Sequence, residues 1–481
     1  MLLQVIRDSQ NENKTDNGEV LVIKCNVPQE LDLSIDENLA ELPRDVVSMS
    51  SAHLGSKEGR SYKISLKVYI SISGANRASI PKAVSNVYVS IDGPEFIHVF
   101  PKSTVIEKLS TTSTTPLLLQ FKCYATKSSL PVNLDASINA SYICSNGEPR
   151  CVSRSISLPL ILACRLKGAA KSATHKITID TSFDAVPLTD LFDDFLLASQ
   201  ECGIDVSDTL GKAATQAMGF GLWYDGSTVS ILVSKQAGRY RVQSDNFSSL
   251  TLISNELEKR LVKTLGRSRA QKSAEDLPPL VSFSEPLPLD IFFVAVAEHF
   301  NARAEINNLL AQLNDLAHQF RMIQKRLLVR YKDRNPSALG GLGTLLHESY
   351  LKIIEMGDKI EYNKSILHQK SIKLEGVSRL LIQLISLKYS LSAAEKVLVE
   401  GMLAPEVRDG SDMGQGWEET VLAGSTYLLK TSLAKGGKES AILTNAALEM
   451  PEDIERLKAN INMIVDRLER GERIVKLTVS S

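Results

Sequence analysis

Apolar and polar side chains alternate from residue 62 to residue 73. Tyr62, Ile64, Leu66, Val68, Ile70 and Ile72 interleave with Lys63, Ser65, Lys67, Tyr69, Ser71 and Ser73. A period of two turns one face of a strand to a core and the other to water. Leu134, Ala136, Ile138, Ala140 and Tyr142 repeat the pattern. Further strands are predicted over 20–25, 84–91, 117–124 and 152–162, with turn residues such as Gly93-Pro94 and Asn146-Gly147 between strands. The polar, Gly- and Ser-bearing segment 48–60 reads as a loop. Strands without intervening helices pair antiparallel, so residues 18–168 predict an all-β sandwich of the immunoglobulin-like kind, after a flexible N-terminus over 1–17.

Residues 172–285 mix periods. A strand is predicted over 175–180. Leu188, Leu191, Phe192, Phe195 and Leu196 then fall at helical spacing behind Pro187, which suits a first helical turn. Segments 220–224 and 229–234 flank Asp225-Gly226, a pair that tolerates the positive φ of a tight hairpin. A strand over 239–243, a helix over 255–265 and a polar loop over 266–276 complete a small α+β domain.

From residue 287 the chain reads as helix. Leu309, Leu313, Leu316, Phe320, Ile323 and Leu327 recur every three or four residues and lay one apolar seam along a long helix. Asn335-Pro336 ends it, because proline disfavours helix in the residue before it. A second helical pattern runs from 342 to 391, so 287–391 predicts an antiparallel α-helical hairpin. A C-terminal helical region follows over 392–475. It opens on a Ser392/Glu395 capping box and continues with helices over 417–434 and 452–470. The last helix carries Ile454, Leu457, Ile461, Ile464 and Leu468 on one face, with Pro451 before it and Gly471 after it.

Composition leaves this picture in place. The 481 residues are 43% hydrophobic and 23% charged, with a net charge of −1, as in ordinary globular chains. No global field directs the chain to nucleic acid or membrane. No apolar run reaches the length of a membrane span, and the first 20 residues make a poor signal peptide. Six cysteines without metal-like spacing predict reduced cytosolic thiols. Cys144 and Cys151 flank a turn and read as buried thiols before they read as a disulfide, which would need oxidising surroundings. Asn139 heads a glycosylation sequon that matters only in a secreted chain.

Catalytic spacings are missing. The sequence has no GxxxxGK[ST], HExxH, CxxC or GxSxG. Gly436-Gly437-Lys438-Glu439 has Glu439 in place of the magnesium-binding hydroxyl, and Gly340–Gly343 reads as a turn between helices. His175, His299 and His318 stand apart from other metal ligands and read as structural or exposed histidines. Asp193-Asp194 reads as a solvated helix face before it reads as an acid/base pair. No enzyme activity, cofactor or metal is expected.

Charge patches remain. Residues 256–272 hold six basic and two acidic side chains, and 321–334 hold six and one. Residues 395–419 hold two basic and seven acidic side chains. Each serves as solvated surface or as contact for a charged partner. For the basic stretches that partner is an anionic protein or a lipid headgroup layer, through Lys259, Arg260, Lys263, Arg267, Arg269, Arg321, Lys325, Arg326 and Arg330. Without a nucleic-acid fold or stacking aromatics, nucleic acid is not the expected partner.

Several blocks resemble one family. They are Thr174-His175-Lys176-Ile177-Thr178-Ile179-Asp180-Thr181, Arg239-Tyr240-Arg241-Val242-Gln243, Ser254-Asn255-Glu256-Leu257, the run from Phe320 to Asp333, Gly416-Trp417-Glu418-Glu419-Thr420 and Leu428-Leu429-Lys430-Thr431. In this order they resemble the family of Bardet–Biedl syndrome protein 9, the parathyroid-hormone-responsive B1 proteins, over roughly residues 130 to 475. The resemblance implies a γ-adaptin-ear-like sandwich, a platform domain, a helical hairpin and C-terminal helices. No propeller-length region precedes the sandwich, so a fragment or short form of such a protein is expected. The family implies a scaffold subunit of the BBSome coat in ciliary trafficking. Its implied partners are Bardet–Biedl syndrome proteins 1, 2, 5 and 8 and a ciliary leucine-zipper regulator, with indirect membrane association. Its implied locations are the cytoplasm, the cilium and ciliary membrane, and centrosomes and centriolar satellites. The alternative is a peripheral membrane adaptor that uses the basic patches.

Overall fold

The computed structural model describes residues 20–35, 42–48, 60–73, 83–110, 116–143, 149–204, 206, 215–234, 238–269, 280–332, 340–405, 416–430, 450–451, 453–472 and 474. Two compact units divide between Val281 and Ser282. The predicted flexible terminus 1–17, most of loop 48–60, the Asn146-Gly147 turn, Asn335-Pro336, helical residues 431–434 and Gly436–Glu439 lie outside the described residues.

The first unit opens with eight strands: β1 (Val20–Asn26), β2 (Lys63–Ser73), β3 (Ala83–Asp92), β4 (Ile97–Phe100), β5 (Ser103–Ser110), β6 (Leu117–Ala125), β7 (Asp135–Ile143) and β8 (Pro149–Ser157). They make two antiparallel sheets, ordered β1-β2-β6-β4 and β5-β3-β7-β8. The antiparallel sandwich expected from the pattern is present. Ile64, Leu66, Val68 and Ile70 are fully buried, and Leu134, Ala136, Ile138, Ala140 and Tyr142 line the same core. In β3 the alternation slips from Val84 to Val87. Asn86 takes a φ of 53°, and the pairing with β7 shifts register between Ser85 and Tyr88. This is a bulge, and asparagine tolerates the left-handed backbone it needs.

Three readings of the pattern are corrected here. Lys63, placed on the solvent face, is buried. Its ammonium donates to the Ser34 carbonyl at 2.5 Å, and Asp32 caps the same strand by accepting from Ser65 Oγ at 2.5 Å. Strands β4 and β5 were not expected. They are short or irregular in pattern, and Val105 points to solvent. The expected strand 152–162 stops at Ser157. Pro159 precedes a 3-10 turn, Leu160–Leu162, and the chain then enters β9 (Cys164–Lys167), which pairs with β11 (Ala217–Leu222) of a third sheet. The expected sandwich range, 18–168, therefore includes a strand of that sheet.

The third sheet contains β9, β10 (His175–Thr181), β11 (Ala217–Leu222), β12 (Thr228–Ser234) and β13 (Arg239–Ser244), in the antiparallel run β10-β13-β12-β11-β9. Asp225 and Gly226 turn β11 into β12 as predicted, with Phe220 opposite Val229 and Gly226 at a φ of 71°. The single helix expected behind Pro187 is two, α1 (Leu188–Leu191) and α2 (Asp193–Glu201), broken at Phe192. Phe192 and Phe195 both meet Phe220, with ring centroids 5.1 and 5.3 Å apart. Helix α3 (Leu250–Arg269) is longer at both ends than predicted, and buries Leu250, Ile253, Leu257, Leu261 and Leu265 on one face. Gly238 has a φ of 56°, and a Cβ there would strike the Phe183 carbonyl, so the turn before β13 requires glycine.

The second unit is helical. Helix α4 (Leu289–Lys332) spans 44 residues and α5 (Gly340–Tyr389) spans 50, and they pack as the expected hairpin. Gly340–Gly343, read as a turn, is the first turn of α5. Helices α6 (Ala393–Leu403), α7 (Trp417–Lys430) and α8 (Glu455–Glu469) follow. The capping box at α6 forms both of its bonds, Glu395 N to Ser392 Oγ at 3.3 Å and Ser392 N to Glu395 Oε2 at 2.8 Å.

Candidate functional site

Recognition surfaces depend on what the fold leaves uncovered. Along the hairpin, cover changes sharply. Leu374, Val377, Leu380, Leu381, Leu384 and Ile385 are buried on α5, where Leu381, Ile382 and Ile385 meet Phe292 of α4, Leu403 of α6 and Ile461, Ile464 and Val465 of α8. Towards the C-terminal end of α4 that cover ends among the described residues. Of the predicted α4 seam, Leu309 is buried, while Leu313, Leu316, Phe320, Ile323 and Leu327 are half-buried. The α8 set Ile454, Leu457, Ile461, Ile464 and Leu468 is buried throughout. Lys370 and Lys373 of α5 both bond Glu298 of α4 at 2.9 Å and hold the register of the hairpin.

An ionic cluster fastens α7 to α4. The ring nitrogen Nδ1 of His299 lies 2.6 Å from Glu418 Oε1, and Arg303 Nη1 also contacts Glu418. Arg303 donates from Nη1 and Nη2 to the two carboxylate oxygens of Glu419 at 2.9 Å each. Both glutamates are buried in the first turn of α7, where the helix dipole favours negative charge. Burial opposes ionisation of Glu418. The His299 hydrogen bond and the charges of His299 and Arg303 outweigh it and hold the carboxyl below its ordinary value. A Cβ on Gly416 would collide with the Arg303 guanidinium. By sequence, Glu418 and Glu419 belong to the acidic stretch 395–419 and His299 stands apart, so neither shows this cluster. The Gly416-Trp417-Glu418-Glu419-Thr420 block was the signal that could have found the cluster.

A cleft of about 500 Å³ opens in the first unit between the sandwich and α1–α3. Asp190, Asp193, Asp194, Lys259, Arg260 and Lys263 line it, with Ser157–Pro159 on the sandwich side. Asp194 and Arg260 are joined by two hydrogen bonds, Nη1–Oδ1 at 2.5 Å and Nη2–Oδ2 at 2.9 Å. Arg260 also donates to the Leu191 carbonyl at 2.7 Å, and its guanidinium lies 4.7 Å from the Phe192 ring centroid. Burial works against both charges. The mutual bond and attraction prevail, so the Asp194 carboxyl is lowered and the Arg260 guanidinium raised. Asp194 is thus a fastening residue and not a solvated one. Lys259 reaches across to Asp135 of β7 at 3.1 Å, and Asn255 donates to the Val132 carbonyl at 3.4 Å, which tie α3 to the sandwich.

The predicted anionic-partner residues therefore have different settings. Arg260 is committed internally, Lys259 is partly exposed and bonded to Asp135, and Lys263 is exposed at the cleft. The side chains of Arg267 and Arg269 lie outside the described residues. Arg321, Lys325, Arg326 and Arg330 are exposed along α4. Cys123 and Cys164 are buried, Cys25 and Cys202 half-buried, and Cys151 exposed, contrary to the expectation of buried thiols; Cys144 lies outside the described residues. Among the described residues, no group of His, Cys, Asp and Glu is placed to hold a metal ion, and no helix is long and apolar enough to cross a membrane.

Four family models match in chain order: the PTHB1 GAE domain over residues 63–156, the PTHB1 platform domain over 159–276, the PTHB1 hairpin over 286–389 and the PTHB1 C-terminal helix bundle over 391–468. Protein PTHB1 of Homo sapiens is 34% identical over 415 residues, 85% of this chain and 44% of that protein. Protein PTHB1 of Mus musculus is 36% identical over 359 residues, 74% and 38% of the two chains. Protein PTHB1 of Xenopus laevis is 34% identical over 349 residues, 72% and 39%. The chain spans less than half the length of these curated relatives.

Proposed function

The chain belongs to the PTHB1 family, and on that premise we propose that it is a non-enzymatic scaffold subunit of the BBSome, the coat that moves membrane proteins to and from cilia. Its partners in this reading are Bardet–Biedl syndrome proteins 1, 2, 5 and 8, with a ciliary leucine-zipper regulator as a further one. It reaches membranes through the coat, and works in the cytoplasm, at centriolar satellites and in the cilium.

The observation that supports this reading best is the reach of the hairpin. Helices α4 and α5 extend well past the part that α6 and α8 cover, so among the described residues the outer half of this hairpin is left with exposed and half-buried apolar side chains. A helix whose stability comes from packing is expected to find that packing on a neighbour. The salt bridges at the cleft support the same reading, because they fasten α3 to its own unit and present no activated nucleophile or base.

The test is affinity purification of the full chain from ciliated cells, with cross-linking mass spectrometry of the recovered assembly. Recovery with BBSome subunits, and cross-links from the hairpin to them, is the expected result. A chain that associates with none of these subunits would sink the proposal.

A further inference from the structure

On α4, Leu310, Ala317, Leu328 and Tyr331 follow at intervals that keep them on one flank of the seam, and on α5 Tyr350 and Ile354 hold the corresponding flank. The helices run antiparallel, and each turns about 100° per residue, so the two flanks face the same side of the hairpin. Leu310, Leu328, Tyr331, Tyr350 and Ile354 are between 39% and 71% exposed. Together they leave apolar side chains exposed along one side of the hairpin, interspersed on α4 with Asn314, Arg321 and Gln324, where the two helices meet in a shallow groove.

Two observations say what fits it. At the other end of the hairpin the corresponding surface is filled by helices α6 and α8 of this chain, so the packing that completes the hairpin is helical. From Arg321 to Lys332, α4 carries five basic residues and no acidic one, and Arg321, Lys325 and Lys332 border the groove. A helix is favoured over a lipid surface because the covered end of the same hairpin is completed by helices.

We propose that this side of the distal hairpin docks an amphipathic α-helix of another protein. Its apolar face fills the groove between Leu328 and Ile354, and a carboxylate-rich edge lies over Arg321, Lys325 and Lys332. Between Leu310 and Leu328 the groove accommodates about 18 residues of helix, roughly 27 Å. The inference rests on the scaffold reading and adds the chemistry of one partner.

The experiment compares the full wild-type chain with Leu328→Asp/Tyr350→Asp and with Tyr362→Asp, an exposed α5 residue off this groove, each purified with its assembly. A wild-type chain carrying a photoreactive side chain in place of Leu328 identifies the captured segment. Expected are a loss of one partner by about tenfold or more in the double variant, as for the loss of central anchors, unchanged recovery with Tyr362→Asp, an unaltered helical circular dichroism signal, and capture of a heptad-patterned, acidic segment of a different protein. Retention of every partner by the double variant overturns the inference and leaves the scaffold reading standing. Capture of a second copy of this chain, or loss only of flotation with phosphatidylserine vesicles, also overturns it. A wild-type chain that recovers no partner removes both.

Discussion

Arg303 of α4 and Glu419 of α7 meet fork to fork, with two parallel hydrogen bonds of 2.9 Å. Glu418, the preceding residue, takes His299 and the same arginine. One guanidinium thus serves two buried carboxylates, and the position of α7 on α4 depends on it.

Replacement of Arg303 by Ala should therefore be severe. It would leave two buried carboxylates with one cationic neighbour fewer, a change that costs about 3–5 kcal/mol at buried pairs. Urea unfolding followed by circular dichroism measures it. A loss below about 1 kcal/mol would show that the cluster is solvated.

The same site predicts a response to acid. The folded-state value for Glu418 lies below the ordinary 4.5, so its contribution is present above 4.5 and is lost as pH falls through the lowered value. Wild type should exceed Glu418→Gln in stability at neutral pH, and the gap should close below about pH 4.5. A gap that widens on acidification would contradict the assigned direction.

Seam positions should differ by their cover. Leu381→Asp puts a carboxylate in the fully covered end of the hairpin and should prevent α6 and α8 from packing. Phe320→Asp alters a half-buried position and should lower the melting temperature by less. Equal shifts in thermal melting would mean that cover along the hairpin is uniform.

Gly238→Ala tests the turn before β13. The left-handed backbone and the collision with the Phe183 carbonyl together should cost about 1–3 kcal/mol. Chemical denaturation should show it, while Gly266→Ala, where the added Cβ meets nothing, should be neutral or mildly stabilising.

Thiol chemistry gives a check on the sandwich. Cys151 is exposed on edge strand β8, whereas burial pushes the Cys123 thiol up to about 12 and also raises that of Cys164 well above its ordinary value. A maleimide at neutral pH should label Cys151 within minutes and leave Cys123 and Cys164 until the protein unfolds. Mass spectrometry after brief labelling reads the order directly. Early modification of Cys123 would mean that the β2–β6 core is open.

Alternation in Ile64–Ile70 and helical spacing in Ile454–Leu468 were legible because apolar side chains carry a regular period in both runs; Asn460, buried on α8 and bonded to Ser425 and Thr426, is a polar exception that the period does not reveal. Lys63, Glu418 and Glu419 were not, because a charged side chain announces exposure unless its counter-group is known. Those counter-groups come from 29 residues away in one case and more than 110 in the other. Strand β9 was misplaced for a similar reason, since only pairing with β11 shows which sheet it joins.

The chain's own order of residues determined where the regular strands and helices form, which apolar faces they bury and that an all-β part, a mixed part and a helical part succeed one another, since period and turn chemistry are local properties. Tertiary structure alone decided which charges are spent inside and which remain for a partner, and how far along the hairpin cover extends. Both depend on which distant side chains come within a few ångströms of each other, and only the folded chain sets those distances.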